Sequence, residues 1–158
     1  DTQFAGDPSP TGPFNGAAPA PAPEQGFAAF PAPELSDFQA LNYVASHEDL
    51  IPTIGTDINA AKSHYTNYGI SEGRILDNFD EWGYLASNND LLIDFEGNLK
   101  EAVENYITEG YSQGKLTNSF DPQSYLNNYA DLRNVFGNNQ ELATKHYVEY
   151  GFNEGRII

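Results

Sequence analysis

The sequence repeats itself at an interval of 41 residues, and this repetition constrains the fold more than any other feature. The interval separates equivalent aromatic residues and glycines, among them Phe38, Phe79 and Phe120; Tyr43, Tyr84 and Tyr125; and Gly69, Gly110 and Gly151. A period of this length is typical of stacked supersecondary units, each of which buries its apolar face against a neighbour. Such architectures usually present surface to partners and seldom build a single catalytic cleft.

The predicted fold class is all-α, with two or three short helices in each repeat. Asp121 followed by Pro122 is typical of a helix start, and Asp80 stands at the equivalent place one interval earlier. In the first copy Ser36 or Asp37 must provide the cap. The sequence leaves open whether the units stack in a line or close around a common core. The predicted helical domain spans 37–158, with repeats at 38–78, 79–119 and 120–158.

Three aspartates are predicted to cap a short second helix in each copy. Each is followed by leucine and further apolar residues; they are Asp49, Asp90 and Asp131. A shared carboxylate site is the weaker interpretation, because equivalent positions of stacked units lie one unit apart and seldom converge on one ion.

The longest helix of each copy has recognisable signals at both ends. Asn98 with Glu101, and Asn138 with Glu141, match a capping box, while Asp57 can cap the first copy. Gly69, Gly110 and Gly151 are predicted to be the left-handed residues of a Schellman-type stop, each followed by an apolar residue. These glycines are therefore interpreted as helix terminators and not as part of a phosphate-binding loop.

The first 36 residues differ sharply in composition from the rest. Eight of the ten prolines precede Glu34, and residues 1–36 contain no lysine or arginine. Proline fixes φ and removes donors, so this segment is predicted to be an extended arm without a packed core of its own. The arm carries four phenylalanines spaced like separate anchors, and docking on a neighbouring subunit is favoured over free disorder. These residues are Phe4, Phe14, Phe27 and Phe30.

Charge and composition disfavour several functions. A net charge of −16 argues against nucleic-acid binding and against binding to anionic membranes. No run approaches the ~20 apolar residues of a membrane span. With no cysteine, neither disulfides nor thiolate metal sites are expected. Methionine is also absent, which we interpret as a sign of a processed product or fragment.

The residues that could carry chemistry have simpler structural interpretations. His64 and His146 lack the partners of a metal site, so a packing or hydrogen-bonding role is preferred. Arg74 and Arg156 follow Glu-Gly and are expected to form ion pairs with Glu72 and Glu154. Calcium is conceivable in so acidic a chain, but the loop motif that binds it is missing, and no cofactor is predicted. No combination of acid, base and nucleophile indicates an enzyme.

Three aromatic residues are candidates for contact with a glycan or a partner: Trp82, Tyr111 and Phe152. An exposed aromatic platform for sugar rings would use them together. The preferred interpretation is that the three side chains fill the contacts between neighbouring repeats.

The repeat, read from Phe38 to Arg74, Phe79 to Lys115 and Phe120 to Arg156, resembles a repeat of large secreted and cell-surface proteins of cyanobacteria and alphaproteobacteria, and of some marine phage proteins. The middle copy departs most, with Asn105 where the others have histidine. The resemblance implies a non-catalytic extracellular module associated with adhesion, surface layers or particle surfaces.

The expected function is that of a structural protein at an extracellular, cell-surface or virion-surface assembly, whose partners are neighbouring protein subunits. The alternative is an adhesion module that binds polysaccharide.

Overall fold

In the computed structural model, which describes residues 34–158, every regular element is a helix, so the all-α prediction is confirmed for this part of the chain. None of these helices is long and apolar enough to cross a membrane. The α-helices are α1 Asp37–Ala45, α2 Ile51–Ile54, α3 Ile58–His64, α4 Glu81–Ser87, α5 Asn89–Phe95, α6 Leu99–Asn105, α7 Tyr111–Gln113, α8 Pro122–Asn128, α9 Ala130–Phe136 and α10 Gln140–His146. Wider π-helical turns continue three of them, at Tyr65–Gly69, Tyr106–Gly110 and Tyr147–Gly151.

The first helix of each segment begins where the sequence predicts. We call residues 38–78, 79–119 and 120–158 the first, second and third segments. Ser36 and Gln39 form a reciprocal capping box at α1. The Asp80 side chain accepts a hydrogen bond from the Gly83 N–H at the start of α4. Asp121 caps α8 directly before Pro122.

The short second helices are capped differently from the prediction. The aspartates do not cap α2, α5 or α9, whose N-terminal flanking residues Leu50, Asn88 and Tyr129 make no side-chain cap hydrogen bond. Asp90 and Asp131 lie within the first helical turn, where a carboxylate still interacts favourably with the N-terminal backbone dipoles. The aspartates instead bind basic residues, as described below.

The long helices begin at capping side chains and end in a stop that lies later than predicted. Asp57 and Asn98 cap α3 and α6 as expected, but Asn139 caps α10 in place of the predicted Asn138. Asn139 accepts from Leu142, three residues on, so the cap lies one residue later and lacks the glutamate of a capping box.

The Schellman stops fall at Gly73, Gly114 and Gly155, four residues after the glycines that the sequence predicts. At the end of the first long helix, Arg74 N–H donates to the Gly69 carbonyl and Gly73 N–H donates to the Ile70 carbonyl. This pair of bonds defines a Schellman motif with Gly73, at φ +67°, as its left-handed residue. The pattern recurs at Gly114 and Gly155. The prediction for Gly69, Gly110 and Gly151 is therefore wrong: they lie within the helix.

The helices pack in a continuous series. The first helix α1 packs against α3 and α6, α4 packs against α6 and α10, and α8 packs against α10. The resulting order is α3, α1, α6, α4, α10, α8. The long helices α3, α6 and α10, each continued by a π-helical turn, alternate in this series with the first helices α1, α4 and α8. We call the contact of α1 with α6 the first seam, and that of α4 with α10 the second seam. The fully buried tyrosines of the core lie on the first helices, at Tyr43, Tyr84 and Tyr125.

Candidate functional site

The buried tyrosines connect the first helix of each segment to its long helix. The Tyr43 hydroxyl lies 3.0 Å from His64 Nδ1, and the Tyr125 hydroxyl lies 3.0 Å from His146 Nδ1. In the second segment Tyr84 donates to Asn105 Oδ1 at 2.7 Å. Asparagine therefore replaces histidine at this position without loss of the hydrogen bond.

Burial keeps these hydroxyls protonated. Desolvation raises the pKa of Tyr125 to about 12, and it raises the pKa of Tyr43 and Tyr84 as well. A phenol with so high a pKa stays neutral at physiological pH and serves as a structural hydrogen-bonding group. The hydrogen-bonding role predicted for His64 and His146 is confirmed. Within residues 34–158, no group of three or more histidine, aspartate or glutamate side chains is arranged to hold a metal ion.

The glycine inside each long helix admits the tyrosine hydroxyl. A Cβ atom added to Gly69 would lie 2.5 Å from the Tyr43 hydroxyl oxygen. The corresponding distances are 2.2 Å for Gly110 and 2.1 Å for Gly151. Real Cβ atoms do not approach other atoms so closely, so these positions require glycine for close approach and not for backbone conformation.

A basic residue next to each Schellman stop reaches back to the aspartate of the same segment. Arg74 holds both carboxylate oxygens of Asp49 at 2.9 Å and also binds Glu72 at 2.6 Å. Lys115 binds Asp90 at 2.7 Å. The hydrogen bonds from the bases lower the pKa of the two aspartates.

The third segment repeats the two-carboxylate pattern. Arg156 binds Asp131 at 2.9 Å and Glu154 at 2.6 Å, and its guanidinium lies 4.7 Å from the centre of the Tyr129 ring. The predicted local pairs of Arg74 with Glu72 and of Arg156 with Glu154 are thus confirmed. The longer bonds to the aspartates join the helix stop to the second helix.

The three candidate aromatic residues do not line one common cavity. Trp82 lies on α4, where it lines a groove at the second seam. Tyr111 lies on α7, where its hydroxyl donates to Glu48 at 3.4 Å. Phe152 lies edge-on to Tyr147 and lines a different cavity from Trp82. Tyr111 contacts Glu48 of the preceding segment, and Trp82 lines a groove together with residues of the following one. The role of the three residues in contacting a glycan or a partner stays a prediction. The four phenylalanines assigned to docking, Phe4, Phe14, Phe27 and Phe30, lie outside the described residues.

The groove beside Trp82 has a volume of about 220 Å³. Lys145 lies 5.8 Å from the centre of the indole ring and binds Glu141 at 2.6 Å. The groove, which we call the Trp82 groove, is lined by Asp80, Trp82, Pro122, Gln140, Glu141 and Thr144.

A buried polar pair marks the first seam and was missed by sequence reasoning. The Asn42 side chain is 1% exposed, and its amide nitrogen donates to Glu81 across the seam. Among residues 34–158, its Oδ1 finds no hydrogen-bond partner. Burial raises the pKa of Glu81, and the negative charges of Asp77 and Asp80 raise it further. The second segment has Gly83 where the first has Asn42, so an aligned reading of the copies would have singled out this position.

Comparison with protein-family models, with curated proteins and with solved structures found no match to this chain.

Proposed function

We propose that the chain is a non-catalytic structural protein of an extracellular, cell-surface or virion-surface assembly. In this proposal the arm, residues 1–36, docks on neighbouring subunits through its phenylalanines. Residues 37–158 are three tandem repeats that form the exposed or bridging body. The chemistry of the two ends of the helical body carries the proposal.

Two positions on the outer face of the first segment are polar where the equivalent positions inside the body are apolar. Val148 and Leu92 line one cavity across the second seam, so the Val148 position faces the preceding segment. The first segment has no preceding segment, and it has exposed Thr66 at this position. The neighbouring position holds buried Val103 in the second segment and Lys62 in the first.

The outer face of the third segment is polar in the same way. Ala45 and Ala86 are buried in the first two segments, whereas the third has exposed Asn127. Leu92 is buried, but its equivalent in the third segment is Arg133, which donates to the carbonyls at the end of α8. Polar terminal faces are typical of capping repeats, which keep a stacked array soluble and finite. If the body cannot grow through its ends, association with neighbours falls to another part of the chain, which favours the arm.

The surface charge is consistent with this role. Within residues 34–158 six of the seven basic residues form ion pairs, and Arg133 binds carbonyl groups. The described surface therefore offers no cluster of free bases to a nucleic acid. An acidic surface of this kind favours a soluble body that repels its own copies except where a specific contact overcomes the repulsion.

The test compares the full chain, a form lacking residues 1–36 and an open-ended form of that truncated chain. The open-ended form carries Lys62→Val, Thr66→Ile, Asn127→Ala and Arg133→Leu, which copy the second segment. Light scattering after size exclusion measures each mass. We expect the truncated chain to be monomeric and folded by circular dichroism, and the open-ended form to build head-to-tail chains. If the truncated chain associates as strongly as the full chain, arm docking is wrong.

The solution mass of the full chain then distinguishes two modes of assembly. A defined oligomer would mean that the arm joins identical subunits. A monomer would direct the search to a preformed scaffold, with co-sedimentation of full and truncated chains as the measurement.

The Trp82 groove favours a second candidate, an adhesion module that binds polysaccharide. A glycan array separates the two proposals. Specific glycan binding that Trp82→Ala abolishes supports the adhesion module. The absence of binding to every glycan on the array excludes it.

A further inference from the structure

The Trp82 groove arises from side chains and not from the arrangement of helices. The first helix packs against the next long helix at both seams. At the first seam the equivalent positions hold Leu41, Leu99 and Val103, and both Leu41 and Val103 are fully buried. At the second seam the same positions hold Trp82, Gln140 and Thr144, which border open space. The first seam is therefore an internal control that shows how these positions pack when they serve the core alone.

The size of the groove suits one small ring. Its volume of about 220 Å³ is several times the ~30 Å³ that a water molecule occupies in the liquid. It is below the ~300–1,000 Å³ of pockets that enclose a drug-sized ligand. A single ring of a longer molecule fits this range, with the rest of the molecule continuing along the surface.

The lining combines an aromatic surface with hydrogen-bonding groups. Trp82 offers apolar area and an indole N–H donor. Gln140 offers an amide, and the carboxylates of Asp80 and Glu141 accept hydrogen bonds. An apolar surface beside several acceptors matches a pyranose ring, which has one C–H face and a rim of hydroxyl donors.

Charge restricts the class of sugar. Asp80 and Glu141 repel acidic sugars, and the nearby Lys145 already binds Glu141. A cationic ligand is also disfavoured, because the Lys145 ammonium lies 5.8 Å from the centre of the indole ring and already provides a positive charge beside it.

We propose that the Trp82 groove binds one ring of a neutral pyranose oligosaccharide. The inference deepens the second candidate function, and it is independent of the role assigned to the arm. Trp82 stacks on the C–H face of the sugar, and Asp80, Gln140 and Glu141 bind its hydroxyl groups.

Trp82 is the only tryptophan of the chain, so its fluorescence reports directly on the groove. The experiment titrates the full chain with neutral gluco-, manno-, galacto- and chito-oligosaccharides, and with oligouronates as charged comparators. We expect a saturable change in emission with at least one neutral series, at concentrations up to about 10 mM, and none with oligouronates. Silence with every neutral series, or a stronger response to oligouronates, would overturn the proposal.

Two variants connect the signal to the groove. Gln140→Leu with Thr144→Val copies the first seam while keeping the fluorophore, and we expect it to weaken binding at least about tenfold. Trp82→Leu, which copies Leu41, is followed by isothermal calorimetry and is expected to lose the heat of binding. If the variant with Gln140→Leu and Thr144→Val binds sugar as tightly as the parent protein, the assignment of the binding site to the groove is wrong.

Removal of residues 1–36 separates this proposal from the assembly role. The sugar response is expected to survive truncation, provided that circular dichroism shows the helices intact. Loss of the response in a folded truncated chain would place the binding site elsewhere and contradict the groove.

Discussion

The two seams of the helical body use equivalent helices and have different interiors. The first seam is closed by apolar side chains, and it also contains the buried pair of Asn42 and Glu81. The second seam has Gly83 in place of Asn42 and opens into the Trp82 groove. The order of the helices is the same at both seams, and every segment keeps a tyrosine hydrogen bond, to histidine in two segments and to asparagine in the second. Backbone architecture and seam chemistry are thus separable in this protein.

This difference shows where the segments of the helical body can vary. A position that holds the tyrosine or the close-approach glycine serves the interior of every segment. A position that faces the next segment serves only one seam, so it can hold leucine at one and tryptophan at the other. Function is best sought at the positions where the copies disagree.

The largest effect is expected from placing a charge at equivalent positions of the two seams. Val103 is fully buried, so Val103→Lys should lower the free energy of unfolding by about 3 kcal/mol or more. Thr144 lines the open groove, so Thr144→Lys should cost less than about 1 kcal/mol. Urea denaturation followed by circular dichroism measures both. Equal losses would show that the seams do not differ in burial at these positions.

A smaller loss is expected inside the second and third segments alike when the shared glycine is changed. Gly110→Ala places a methyl group against the Tyr84 hydroxyl, and we expect a loss of about 2 kcal/mol, as for Gly151→Ala. Thermal and urea denaturation measure it. Combining Gly110→Ala with Tyr84→Phe should recover part of the loss, because the clashing oxygen is removed.

Gly114→Ala is the matched control for that change. Its added Cβ meets nothing within 4 Å, so only the positive φ of +67° opposes the substitution. We expect a loss of about 1 kcal/mol. A larger loss here than at Gly110 would contradict the close-approach explanation.

The smallest change in stability is expected at Glu81, which lies at the first seam and accepts a hydrogen bond from Asn42. Since burial raises its folded pKa, the stability tied to this group is fully present below its unfolded pKa and is lost as the pH rises through the folded value. Glu81→Gln removes the charge and supplies an N–H donor for the orphaned Asn42 oxygen. We expect the variant to be more stable by about 0.5–1 kcal/mol at pH 7, with the gain shrinking towards pH 4.

Urea denaturation between pH 4 and pH 7 measures that gain. Glu81→Ala copies the residue of the first segment at this position, Ala40, and removes the partner of Asn42 altogether. It should therefore destabilise the protein. A pH-independent gain for Glu81→Gln would show that the charge of Glu81 has no part in the effect.

Sequence reasoning succeeded where the signal is local. The caps at Asp57, Asp80, Asn98 and Asp121 follow from the sequence, and Ser36 is one of the two residues that it offers for α1, because a cap and the N–H it binds are two or three residues apart. The Schellman stop was recognised in kind but placed at the wrong glycine. Gly69 and Gly73, like their equivalents in the other segments, both have suitable neighbours, and a π-helical turn carries the helix past the earlier glycine.

It failed where a partner lies far along the chain. The sequence predicts caps at Asp49, Asp90 and Asp131, although each binds a base 25 residues later. The candidate site shows the same limit. Trp82 was singled out by its type, but the groove also needs Gln140 and Thr144, which come from the next segment.

The sequence by itself determined the all-α class of residues 34–158, the start of most helices and the interval that relates them, since these depend on neighbouring residues and on composition. Only the tertiary structure decided why glycine stands inside the long helices, which carboxylate each base binds, and which of two equivalent seams is open. The reason is physical: close approach, ion pairing and cavity formation depend on groups that the fold brings together across seams, and their spacing along the chain does not reveal them.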